Sequence, residues 1–204
     1  MKKIGNAKKP AQTANEHATA IDIHFYRSNE KPYGVFSNLH RTPVVFEGRE
    51  FPTAEHAYQA GKASKEAVRE WILSAPTPSL AAMAAHGLYT WDIVPSWSKI
   101  KFDRMRDVLR AKFSQHEDLR ALLLATGQAR LVEAGTTNNA VNRLWGEVNG
   151  KGQNMLGVLL MEVRAELRKK KVAQPKASVK PQRNASTRPQ RKIPATARNT
   201  VATA

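Results

Sequence analysis

The chain has 204 residues, 41% of them hydrophobic, no cysteine and a formal net charge of +16. That length suits one domain of ordinary size with some chain left over, and the missing cysteines exclude a disulfide framework and any thiolate-ligated metal site. No apolar run approaches the roughly 20 residues that span a bilayer, and the first twenty residues lack the apolar stretch of a secretory signal, so cytoplasmic residence without membrane contact is expected.

The charge is placed unevenly. Residues 1–21 hold four Lys and one Glu, residues 169–204 hold ten Lys/Arg and no Asp or Glu, and residues 22–168 carry only +3. The N-terminal arm has no apolar periodicity and reads as disordered. Two β segments come next. DIHFYR (22–27) and VVFEGREF (44–51) are rich in β-branched and aromatic residues, and Glu47-Gly48 can fold the second into a hairpin.

Helices dominate from residue 53. Thr53 caps one that runs to about Ser64, and Ser64 caps a second, Lys65–Leu73, which stops before Pro76. Thr77 with Pro78 at the first helical position opens a third, closed by Gly87. Ser96 opens a fourth to about Phe113, and a fifth spans His116–Ala125 with Gly127 as its stop. Arg130–Glu133 reads as a short strand. The last helix begins after Asn154, with Leu156, Leu159, Leu160, Val163 and Leu167 on one face at helical spacing. The tail from 169 repeats Pro, Lys/Arg, Ser/Thr and Ala without an aromatic, and cannot repay the entropy of ordering. It reads either as an arm that finds nucleic acid by counterion release or as a solubilising extension. The expected fold class is therefore α+β and helix-dominated. A single compact domain over 22–168 carries a small N-terminal β element and is flanked by disordered basic arms, 1–21 and 169–204.

Three features bear on chemistry. In FPTAEHAYQAGKAS (51–64), Glu55, Tyr58, Gln59 and Lys62 share an arc of about 100° on one helix face. Ala57, Ala60 and Ser64 make the opposite side. That polar face is either a site or the solvated side of a short surface helix. Second, Trp145-Gly146 and then Gly150-Lys151-Gly152-Gln153-Asn154 precede a helix, an arrangement that offers backbone N–H groups to an anion or merely a loop capped by Asn154. Third, Tyr33-Gly34-Val35-Phe36-Ser37-Asn38 could stack on a base or cover the core. Trp71, Trp91, Trp97 and Trp145 are core by default, with Trp145 the best candidate for a pocket wall. His56 points about 100° away from Glu55 and reads as structural. The six His show no ligand spacing and no carboxylates cluster, so neither metal nor cofactor is expected.

Taken together, YGVFSN (33–38), PTAEHAYQAGK (52–62), Trp97…Met105…Lys112-Phe113, LLATG…LVEA (123–134), WG (145–146) and NMLGVLLMEVR (154–164) resemble the NADAR family, in the family's order over about residues 23–168. The family includes the YbiA-like N-glycosidases of early riboflavin-pathway intermediates. The resemblance implies an α-rich fold with a cleft for ribose phosphate or ADP-ribose. It also implies cleavage of an N-glycosidic bond to an exocyclic amine, in a riboflavin-pathway intermediate or in ADP-ribosylated guanine. On that premise Lys62 is the expected nucleophile, forming a Schiff base at C1, and Glu55 the proton shuttle. Gln59 would hold a hydroxyl, Trp145 and Phe36 would flank the ring or base, and the Gly150–Asn154 loop would take phosphate. Asn38, Trp97, Asn142, Gly146 and Asn154 complete the substrate-binding set that the motifs imply. Two positions depart from the family's pattern: Asn142 stands where an Asp is usual, and Leu88 comes after Gly87 where an Arg is usual. Asn142 is the feature that favours an alternative, a non-catalytic module binding ADP-ribose or NAD. The basic tail favours another, a nucleic-acid-associated protein that removes an adduct.

Overall fold

The computed structural model describes residues 21–173. The expected disordered arms lie outside these residues except for residue 21 and residues 169–173, and the latter are helical where disorder was expected. The first strand, β1 (Ile23–Phe25), pairs in parallel with β4 (Leu131–Glu133), Ile23 opposite Leu131 and Phe25 opposite Glu133. β2 (Val44–Phe46) and β3 (Arg49–Phe51) form an antiparallel hairpin. Its turn residues Glu47 and Gly48 both have positive φ, 51° and 77°, as a two-residue turn of right-twisted strands requires.

The described residues also form seven α-helices: α1 (Ala54–Ala60), α2 (Glu66–Leu73), α3 (Pro78–His86), α4 (Trp97–Gln115), α5 (Glu117–Ala125), α6 (Ala140–Trp145) and α7 (Met155–Ala173). Thr53 and Thr77 cap α1 and α3 as their sequence positions predict, accepting from the backbone N–H of His56 and Leu80. The main core lies between α4, α5 and α7 and the β1–β4 pair. Phe25, Phe36, Leu109, Phe113, Leu123, Leu131, Leu159 and Leu160 are all buried there. The whole expected face of α7, Leu156 to Leu167, is turned inward. α1 packs through Ala54, Ala57 and Ala60 against Val44, Phe51 and Val108, small residues that let its backbone come close.

Several expectations need correction. α1 ends at Ala60 instead of Ser64, because the Arg104 guanidinium lies across its end and donates to the carbonyls of Ala57 and Tyr58. A Cβ on Gly61 would stand 1.9 Å from Arg104 Nε, so a side chain there would displace the guanidinium. The segment beyond is held in extended form, with Val94 N–H donating to Lys62 O and Ser64 N–H to Asp92 O. Ser64 does not cap α2. Its hydroxyl donates to Trp91 O, and extended Lys65 takes the cap position. Trp71 and Trp91 are 56% and 66% exposed, the latter stacked on exposed Tyr89 at 4.6 Å, so two of the four tryptophans are not core. The short helix α6 has no counterpart in the expected elements. Asn139 caps it, accepting from Asn142 N–H.

Candidate active site

Glu55 enters the site from the first turn of α1. Its backbone N–H donates to Asn38 O, which docks the helix start onto the 33–38 loop. Its carboxylate is 7% exposed and takes Gln59 Nε2 at 2.7 Å and Asn38 Nδ2 at 3.2 Å. Burial holds its pKa above the ordinary carboxylate value, and the two amide donors work against that rise. Asn38 Nδ2 also reaches Met105 Sδ at 3.0 Å, and its Oδ1 is buried with no partner among the described residues. Lys112 pins the loop from below. It is fully buried, and its Nζ donates to Val35 O at 2.6 Å and Ser37 O at 3.0 Å.

Above Glu55 opens a cleft of about 620 Å³. Asn38, Glu55, Tyr58, Gln59, Glu133 and Trp145 line its working side, and Tyr26 to Asn29 part of its rim. Trp145 forms an aromatic wall, edge-on to Tyr58 at 5.5 Å and tilted against Phe102 at 5.6 Å. Glu133, the last residue of β4, brings a second carboxyl. Burial, and then the charge of Glu55, push its pKa up to about 7. Glu133, with a second carboxyl of raised pKa in the same cleft, can hold and move a proton near neutrality. Glu133 is absent from the site residues expected from the sequence. The signal that could have found it is an acid ending an otherwise apolar strand that feeds a glycine-containing loop.

A second chamber of about 220 Å³ adjoins the cleft and shares Tyr58, Gln59, His86, Val141 and Trp145 with it. Lys62 lies on this chamber and not on the cleft floor. Its Nζ donates to Ala85 O at 2.5 Å, and partial burial lowers its pKa. Glu55 and Lys62 therefore face adjoining spaces with Gln59 and Tyr58 between them. The shared helix face expected from the sequence is broken where α1 stops. Trp97 also lines the smaller chamber, 5.2 Å from Tyr58.

Other expected site residues fall elsewhere. Phe36 is wholly buried between Phe25, Tyr33 and Phe113 and lines neither chamber, so it belongs to the core. The Gly150–Asn154 loop borders neither chamber. Instead Asn149 and Gly150, both of positive φ, turn the chain so that Val148 bridges Lys151. Asn154 is buried. Its Oδ1 accepts from Glu133 N–H and its Nδ2 donates to Leu131 O, so it braces β4. Gly146 is needed for closeness: a Cβ there would stand 2.2 Å from Glu133 O, where Glu147 N–H now docks. Asn142 does line the cleft, half-buried, its Nδ2 donating to Thr137 O at 2.8 Å. His56 is structural, as its angle on the helix implied. Its ring lies between Thr53 Oγ1 and Ala75 O.

Among the described residues no three His, Asp or Glu converge to hold a metal ion, and no helix is long and apolar enough to cross a membrane.

Known proteins resemble this chain in sequence and fold. The NADAR domain model matches residues 24–168. N-glycosidase YbiA of Escherichia coli (strain K12) is 44% identical over 146 residues, covering 71% of this chain and 88% of that protein. An N-glycosidase of Nostoc punctiforme is 38% identical over 152 residues, 72% of this chain and 94% of its own. A riboflavin biosynthesis protein of Vibrio vulnificus is 33% identical over 146 residues, 71% of this chain but 38% of that longer protein. The solution structure of Escherichia coli YbiA is similar with a TM-score of 0.70 and 40% identity, covering 78% of this chain and 92% of that one.

Proposed function

The chain belongs to the NADAR domain family and is an N-glycosidase, and on that premise we propose that it hydrolyses the bond between ribose phosphate and an exocyclic amine of a small heterocycle. The observation that carries this reading is the buried Glu55 carboxyl, gripped by Gln59 and Asn38 at the floor of a cleft walled by Trp145. The heterocycle lies in the larger cleft against Trp145, and the ribose crosses the sill formed by Gln59 and Tyr58. An exocyclic N-riboside opens to an imine at C1. Lys62, its pKa lowered by burial, adds to that carbon through its neutral amine. The C1–N bond to the heterocycle then breaks, and the leaving amine takes its proton from Glu55, with Glu133 as the second carboxyl of the relay. Water adds to the Lys62 Schiff base and releases ribose phosphate, which restores both groups.

ADP-ribose on guanine presents the same kind of bond and is the second substrate class. The ten tail cations favour a nucleic-acid partner for that case. The small heterocycle comes first because a relative of 33% identity is a riboflavin biosynthesis protein.

The test is to incubate the full-length protein with each substrate class, measure the freed amine, and add borohydride during turnover. A sugar adduct on the Lys62 peptide is expected, and Lys62→Arg should lower the rate at least about 100-fold. Near-normal turnover of Lys62→Arg without an adduct would assign the attack to water, with Glu55 as its base.

A further inference from the structure

The two chambers differ in charge. Glu55 and Glu133 line the larger one, with Arg27 at its rim, whereas the smaller has Lys62 and Lys101, the Ser98 hydroxyl and no Asp or Glu at all. Lys101 differs from the arginines of its own helix. Arg104, Arg106 and Arg110 of α4 each hold a carboxylate, from Glu47, from Asp103 with Glu162, and from Asp107 with Glu166. The Lys101 ammonium has no carboxylate partner among the described residues and rests 4.9 Å from the centre of the Phe102 ring. Lys62 likewise donates only to a backbone carbonyl. Lys101, on a space of about 220 Å³ that no carboxylate lines, leaves an uncompensated positive charge there. The loop at 150–154, which the sequence suggests for an anion, borders neither chamber.

We propose that the smaller chamber is the subsite for the phosphate of the substrate, with Lys101 as its principal cation and the Ser98 hydroxyl and Lys62 beside it. This assignment rests on the proposed reaction and orients its substrate. A heterocyclic amine, which needs an acid, lies over the carboxyls. The dianionic end, which carboxyls would repel, passes the Gln59–Tyr58 sill into the space they do not reach. The ribose between them then places C1 within reach of Lys62, which borders the same chamber. Phosphate selectivity therefore comes from α4, far in sequence from the helix that supplies Glu55.

The experiment titrates ribose 5-phosphate, ribose and inorganic phosphate into full-length protein, following tryptophan fluorescence, which Trp97 and Trp145 supply from the chamber wall, and checking affinities by calorimetry. Ribose 5-phosphate should bind at least about tenfold more tightly than ribose, and inorganic phosphate should compete with it. Lys101→Glu should bring that preference to near unity, and Lys101→Gln, which keeps the size and removes the charge, should lower it severalfold. The basic ends are the same in every variant and cancel in the comparison. Equal affinities for the two sugars in the unaltered protein, or a preference unmoved by both substitutions, would overturn the subsite. These readings involve no turnover. Amine release with an unmoved preference would thus sink the subsite alone, and a lost preference without amine release would uphold the subsite and sink the reaction.

Discussion

Glu133 shows how a single carboxyl comes to titrate near neutrality, with consequences for both stability and rate. Its pKa lies at about 7 against an ordinary 4.5, so the folded protein holds that proton more tightly than the unfolded chain does. Burying this group therefore costs nothing at acid pH and progressively more as the pH rises from about 4.5 to about 7. Glu133→Gln should gain stability relative to the unaltered protein across that window, reaching about 1–3 kcal/mol above it, with no gain at pH 4, measured by denaturant unfolding. The same substitution should remove an inflection near pH 7 from the rate profile. Asn142 tests the other direction. An Asp there restores a charge to the cleft but cannot donate to Thr137 O, a bond worth about 1 kcal/mol. Asn142→Asp should raise turnover severalfold while lowering the melting temperature by a few degrees. A fall in turnover would mean that the cleft is tuned to a substrate that avoids the charge. At this scale the sequence is only half legible. Glu55, Gln59 and Trp145 stand out from motif and helix face. Nothing local says that Lys112 is clamped between two carbonyls, or that Asn154 braces a strand 21 residues upstream in place of capping a helix.

Elements governed by local rules are legible in the sequence. Thr53, Thr77-Pro78 and the Glu47-Gly48 turn are satisfied by neighbours a few residues away, so sequence and structure agree on them. The α1 end is not legible, since Arg104, more than forty positions along, ends the helix. The Asn149-Gly150 turn carries two competing signals. Asn-Gly is a strong hairpin signal, whereas the glycines around it suggest an anion loop, and the hairpin signal wins. Gly146 belongs with β4 and not with the substrate. A methyl group there would force apart the Glu133 carbonyl and the Glu147 N–H that dock strand against loop at 2.8 Å. Gly146→Ala should cost about 2–4 kcal/mol in denaturant unfolding and cut activity by shifting Glu133. Unchanged stability would show that the loop can move aside without cost.

For the whole chain, the positive charge is concentrated in the two ends and the middle is nearly neutral. The expectation for the ends comes from composition, and its readout is binding. The full chain should bind DNA weakly and without sequence preference, with affinity falling steeply as salt rises. A chain ending at Ala173, the last described residue, should lose most of that affinity and flatten the salt slope while keeping glycosidase activity. Equal binding and slopes in the two chains would show the arm to be inert.

The pairing of β1 with β4 also governs how the site comes into being. It joins positions 108 residues apart, Ile23 with Leu131, and the carboxyl at the end of β4 reaches the cleft only once that pair has formed. Closing so long a loop is entropically late and kinetically slow compared with winding α4 or α7. During synthesis the α1 half of the cleft, with Glu55, leaves the ribosome well before Glu133 and Trp145 exist. A nascent chain thus holds an acid without its partner and an aromatic floor without its wall. Hydrolytic competence should therefore appear late in folding, and it should vanish when the two short strands part.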